Sequence, residues 1–204
     1  ISRRENSPLG YFAALYRKVT IRIRDGVAKK EFEDNERMER LDVIFANRYI
    51  AAYDAHKRGE LPTQSWAIAF LAARNNNLLI MQHLLLGINA HINLDLGIAA
   101  AQAVGDGKIQ HLKGDFNRIN DILASMVDDV QDKIGKVSPV FAILDPLTGR
   151  LDEDLANFTI SKAREGAWKF ANEVFVAKKS NLDTLIQERD IRIALLARNL
   201  AGPS

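Results

Sequence analysis

Apolar residues recur at three- and four-residue spacing along nearly every long segment of the chain. This is the mark of helices that bury one face. Alternating runs bounded by hairpin turns are lacking, so the pattern predicts an all-α protein. Pro8 opens a first helix to about Arg24, where Asp25-Gly26 is expected to break it. Asp34 caps a second, which carries Met38, Leu41, Phe45, Tyr49 and Tyr53 as far as Lys57 before Gly59 ends it. Leu61-Pro62-Thr63 starts a third with Trp66 and Phe70, and Asn75-Asn76-Asn77 interrupts the chain before a long helix over roughly 78–103. Gly105-Asp106-Gly107 then turns into a fifth helix over about 109–134. Ser138-Pro139 and Asp145-Pro146-Leu147-Thr148-Gly149 frame an irregular connection, followed by helices over about 152–178, with an interruption near Thr159, and 182–200. Val19-Thr20-Ile21-Arg22-Ile23 has strand-like β-branched alternation, but it continues a helical pattern and is read as helix. No repeat or low-complexity tract divides the chain, so residues 1–204 are expected to form one all-helical domain, a bundle of about seven helices.

The long fourth helix departs from an ordinary core stripe. From Gln82 to Ala99 it is almost wholly apolar, yet it carries His83, Asn89, His91, Asn93 and Asp95. His91 and Asp95 stand four apart, on one helix face about 6 Å from each other, within reach of a shared proton or metal ion. Both are expected to face the interior, since Leu84, Ile88, Ile92 and Leu96 flank them. His83 is eight residues from His91, roughly 12 Å along an unbroken helix, so the two share a ligand only if the helix kinks at Gly87. Asn89 and Asn93 form a second pair four apart, suited to hold water, a carboxylate or a polar ligand group. Gly87 and Gly97 cost about 1 kcal/mol each in a helix and fit where another element comes close.

One helix offers a metal two ligands, and further donors must come from elsewhere. Glu39 and Asp42 share a face of the second helix with Ala46, Tyr49 and Tyr53, and Asp115 opens the fifth helix with Asn120 beyond it. An acidic residue near His91 would fix its tautomer, and Asp42 or Glu39 is expected in that place. His91, Asp95 and Asp115, with Glu39 and Asp42, make an oxygen-rich set with one imidazole, suited to one divalent metal such as Zn, Mn or Fe. The same residues also suit a hydrogen-bonded core network that joins helices without a ligand. Arg164 and Trp168, again four apart, are expected to form a cation–aromatic brace. Tyr49, Tyr53, Trp66 and Phe70 read as packing, and His56 and His111 as exposed.

Composition narrows the classes. With 47% hydrophobic content the chain can bury a sizeable core, and its net charge of +2 implies neither nucleic acid nor an anionic membrane as partner. There is no cysteine, which removes disulfides, thiolate nucleophiles and Cys-ligated zinc while leaving the compartment open, with the cytoplasm as default. Polar residues break the apolar run of the fourth helix, so no membrane span is expected. No phosphate loop, nucleophile elbow or HExxH occurs.

Met38-Glu39-Arg40-Leu41-Asp42, then Phe45-Ala46-Asn47-Arg48-Tyr49, then Asn89-Ala90-His91-Ile92-Asn93-Leu94-Asp95-Leu96, and Asp115 to Asn120 together resemble an uncharacterised all-helical bacterial family of unknown function. The resemblance covers most of the chain and implies no mechanism. Leu86-Gly87, His91 and Asp95 are distantly similar to the zinc-dependent phospholipase C and single-strand nuclease group, whose central helices carry Leu-Gly, His and Asp around a metal cluster. This chain departs from that group in having four His and Leu96-Gly97-Ile98 where a Pro-x-His is usual, so the likeness implies a mononuclear or metal-free site. Three readings follow for a small-molecule partner. The first is a metal-dependent hydrolase of a small molecule or ester, with His91 and Asp95 holding metal and water and Asp42 or Glu39 as ligand or base. The second is a metal-free cyclase, lyase or isomerase in which Asp42 or Asp95 orients His91 as acid–base on an apolar compound. The third is a non-catalytic ligand-binding or scaffold bundle.

Overall fold

The computed structural model describes residues 7–134 and 160–202, and these form an all-α bundle. Helix α1 spans Leu9–Ala28, α2 Asn35–Lys57, α3 Gln64–Ala72, α4 Ile80–Val104, α5 Lys113–Ile134, α6 Ile160–Val176 and α7 Lys179–Ala201. A short 3₁₀ turn, Ile109–Leu112, precedes α5. Val19 to Ile23 lies within α1, and no strand occurs among the described residues. The connection expected around Ser138-Pro139 and Asp145–Gly149, and a helix start near Asp152, lie outside them.

Local chemistry explains several boundaries. Asp34 accepts the Arg37 N–H at 2.9 Å and caps α2, as its side chain suggests. The first helix outlasts Asp25-Gly26 because its end is set further on. Glu31 N–H donates to Gly26 O and Lys30 N–H to Val27 O, with Lys30 left-handed at φ 57°. Gly26 serves packing rather than termination: a Cβ there would stand 3.1–3.3 Å from the Arg22, Phe32 and Glu31 side chains, which fold back over the helix. At α3 the cap comes from another helix. The buried Asp190 carboxylate of α7 takes the N–H groups of Gln64 and Ser65 at 2.6 and 3.0 Å and the Ser65 hydroxyl at 2.7 Å.

Helix α4 runs through the centre, touched by α1, α2, α3, α6 and α7. Its N-terminal half packs Leu85, Leu86 and Ala90 with Phe12, Trp66, Phe70 and Leu200. The C-terminal half packs Leu96, Ala99, Ala100 and Ala103 with Met38, Leu41, Phe116, Ile119 and Ala167. By length and composition α4 could cross a membrane, but 83% of its most apolar 18 residues is buried inside the protein. Gly97 lets α6 lie directly against it, since a Cβ there would meet Ala167 O at 2.9 Å and the Phe170 ring at 2.8 Å. The aromatic brace differs from expectation. The Arg164 guanidinium lies over Phe116 at 4.4 Å and hydrogen-bonds Asn120 and Phe116 O, whereas Lys113 stands over Trp168 at 4.6 Å. Arg164 is buried, so it takes the nearest carbonyls and ring of α5 rather than its own helix's indole.

Candidate functional site

Where the two halves of α4 meet, the helix is not α. Residues His91–Asp95 form a π-turn, in which Leu96 N–H donates to His91 O five residues back. Such single turns lodge an extra residue in a helix and recur at functional sites. Here the turn carries both members of the His91–Asp95 pair into the interior, each 1% exposed, as their flanking residues predict.

Asp95 is held from three sides. One carboxylate oxygen accepts Arg48 Nε–H at 2.7 Å, and the other accepts Trp66 Nε1–H at 2.8 Å and lies 3.4 Å from His91 Nδ1. A buried carboxylate needs both a cation and hydrogen-bond donors, and α2 and α3 supply them. Because a carboxylate only accepts, the contact with His91 puts the imidazole proton on Nδ1. The other ring nitrogen, Nε2, is buried without a partner.

The rest of the His91 surface is aromatic. Phe45 stacks on the ring at 3.6 Å and 7°, Tyr16 and Phe12 stand edge-on at 4.4 and 5.5 Å, and Trp66 and Tyr49 complete the shell at 6.0 and 6.2 Å. Burial drives the His91 pKa below its ordinary value, and Arg48 pushes the same way against the opposing pull of Asp95. The imidazole is therefore neutral at pH 7, with a free lone pair. A cleft of about 20 Å³, room for one water, runs between Leu9, Phe12, Tyr49, Trp66, His83 and Gly87 and shares three rings with this shell.

The other expected site residues part company. Asp42 is half-buried and forms no hydrogen bond or ion pair with a described residue; desolvation raises its pKa from 3.8 to about 6. Its charge acts on Tyr16, whose pKa rises well above the ordinary value through burial first and Asp42 second. Glu39, one turn before Asp42, is exposed. The acid that touches His91 is thus Asp95 of its own helix rather than Asp42 or Glu39. Asp115 is buried but serves as an anchor, accepting Glu33 and Asp34 N–H at 2.7 and 3.1 Å and the Arg37 guanidinium at 2.9 Å. Asn89 and Asn93 form a ladder to α7: Asn93 donates to Asn89 at 2.9 Å, Asn89 to Ile193 O at 3.1 Å, and Arg189 to Asn93 O at 3.0 Å. His83 lines the cleft a distance from the pair, tilted against Tyr11 at 6.3 Å, and Phe12 rather than a kink occupies the space beside Gly87. His111 is exposed, while His56 is half-buried against Phe70 at 5.0 Å.

These positions bear on a metal. Among the described residues no three His, Asp or Glu side chains are grouped to hold an ion. Asp95 already gives its oxygens to a guanidinium and an indole, and Asp115 is committed to Arg37 and two amides. This donor set does not fit a divalent cation, which needs carboxylates free to bind it. Sequence reasoning passed over Arg48, Trp66 and Tyr16. A buried Asp95 demands a cation, however, and Arg48 stands three residues past Phe45 on the inner side of α2.

Compared with known proteins, the sequence matches over residues 1–203 the profile of one family, described as Family of unknown function (DUF5995). No curated protein and no solved structure matches it.

Proposed function

The chain belongs to DUF5995, whose function is unknown, and from its own geometry we propose a metal-free acid–base enzyme acting on a small apolar compound, with His91 as the base. One observation carries this reading: His91 Nε2 is a buried, neutral imidazole nitrogen with no partner, while its other nitrogen is oriented by Asp95. An imidazole so arranged can take a proton at Nε2 as Asp95 steadies the cation that forms. Arg48 and Trp66 hold Asp95 in place against Nδ1, so that it orients the ring. The aromatic shell suits an apolar compound and excludes water, which favours an isomerase, lyase or cyclase over a hydrolase. Admission through the cleft requires Phe12 to swing away from Gly87.

Deuterium transfer tests the reading. Incubation in D₂O with a panel of apolar carbonyl compounds and alkenes, read by mass spectrometry, is expected to show catalysed incorporation that His91→Gln and Asp95→Asn abolish in folded protein. The burial of His91 at 1% supports a second reading, a non-catalytic bundle in which the pair fixes helix packing. That reading takes over if wild-type protein exchanges no compound and none raises its melting temperature.

A further inference from the structure

His91 is sealed from solvent, so a proton it takes up must leave through protein. Beside its ring stands Tyr16, edge-on at 4.4 Å, whose buried hydroxyl meets the Thr20 side chain. The Thr20 hydroxyl, one turn later on α1, is buried as well. Buried polar atoms seldom stay unpaired unless they bind water or take part in chemistry; Nε2 is such an atom, and the two buried hydroxyls stand on the neighbouring helix. Across from them on α2 is Asp42, a carboxylate that reaches solvent, pairs with no described residue and acts electrostatically on Tyr16.

We propose that Tyr16, Thr20 and Asp42 form the route by which His91 exchanges its proton with solvent, Asp42 being the outer end. The proposal rests on the acid–base reading for its purpose but not for its test. In one transfer the proton on Nε2 passes to the Tyr16 hydroxyl oxygen, directly or across one water, while the Tyr16 proton passes to Asp42 with Thr20 as relay. This leaves neutral imidazole, tyrosine and a carboxylic acid, and Asp42 then gives the proton to water; no electrons move. The charged groups nearby are Asp95 and Arg48, which are bonded to each other and unfit to carry a proton outward. Desolvation holds Asp42 at about 6, so it can take up and release a proton near neutral pH.

The test follows, by nitrogen-15 NMR below pH 6.5 where part of the imidazole is protonated, the rate at which His91 Nε2 exchanges its proton with water. Asp42→Asn and Tyr16→Phe are each expected to slow it about tenfold, while Glu39→Gln, an exposed carboxylate one turn away, leaves it unchanged. Tyr16→Phe removes a hydroxyl that meets only the Thr20 side chain and keeps the ring, so the fold should hold. Unchanged exchange in both variants overturns the route. So does equal slowing in Glu39→Gln, or ring exchange that tracks the backbone amides of α4, since opening of the bundle would then carry the proton. Deuterium transfer that His91→Gln abolishes, with ring exchange unaffected in Asp42→Asn, sinks the route alone; no deuterium transfer in wild type sinks the acid–base reading and leaves the exchange measurement intact.

Discussion

Asp95 shows what burial demands of a single carboxylate: its side chain is 1% exposed, and Arg48, 25% exposed, reaches in from the solvent side to neutralise it. Removing one partner of a buried pair strands the other, at about 3–5 kcal/mol. Because the guanidinium is partly wet, Arg48→Ala should cost about 2–3 kcal/mol in urea denaturation, and Arg48→Lys should recover part of it. Two nearby groups give stability a pH dependence of opposite signs. His91 has a folded pKa below its ordinary 6.5, so the unfolded chain binds the extra proton and stability falls as pH drops from about 6.5. Asp42 is raised from 3.8 to about 6, so the folded chain binds the extra proton and stability falls as pH rises through that interval. Asp42→Asn should therefore stabilise the protein by about 1–2 kcal/mol at pH 7.5, after discounting for partial exposure, with the gain vanishing below pH 4. Denaturation midpoints across that range check the sign, and a gain that persists at low pH would contradict it.

At the scale of elements, α4 is one helix in outline and two in packing. The π-turn at His91–Asp95 shifts the register between a half that meets α1, α3 and α7 and a half that meets α2 and α6. Close approach of α6 depends on Gly97, where a Cβ would sit 3.3 Å from Ala171 N and closer still to Ala167 O. Backbone on one side and a buried ring on the other leave little room to relax, so Gly97→Ala should lose about 1–3 kcal/mol despite its better helix propensity. A gain in melting temperature would mean that α6 can move away freely. Carboxylates perform a related service between elements: Asp115 fixes the turn before α2, and Asp190 caps α3.

For the whole molecule, the engaged state of Asp95 and Asp115 predicts indifference to metal. Addition of zinc or manganese, or of a chelator, should leave the melting temperature unchanged, whereas a bound ion at a hundred times its Kd would add about 2.7 kcal/mol. A clear rise on adding either metal, lost in Asp95→Asn, would restore the metal reading. The bundle's centre is a long apolar helix, and the most apolar part of α4 is mostly covered by protein. Amide exchange should accordingly be slowest there.

The helices, their capping residue Asp34, the stop at Gly59 and the burial of His91 and Asp95 were legible in the sequence because each follows from neighbours a few residues away. Periodicity and capping are local, and so is the contrast between a charged residue and its apolar flanks. Tertiary structure alone decided what the buried groups meet. Asp95 takes Arg48 from 47 residues away and Trp66 from 29, Asp115 takes Glu33 from 82, and Gln64 is capped by Asp190 from 126. Residue types state that a buried carboxylate needs a cation or an amide, but several of each are present, and only the packing of helices selects among them. The π-turn belongs to the same class, since an extra residue within a helical run leaves the apolar spacing plausible on both sides and is fixed by the two cores that the halves must fill.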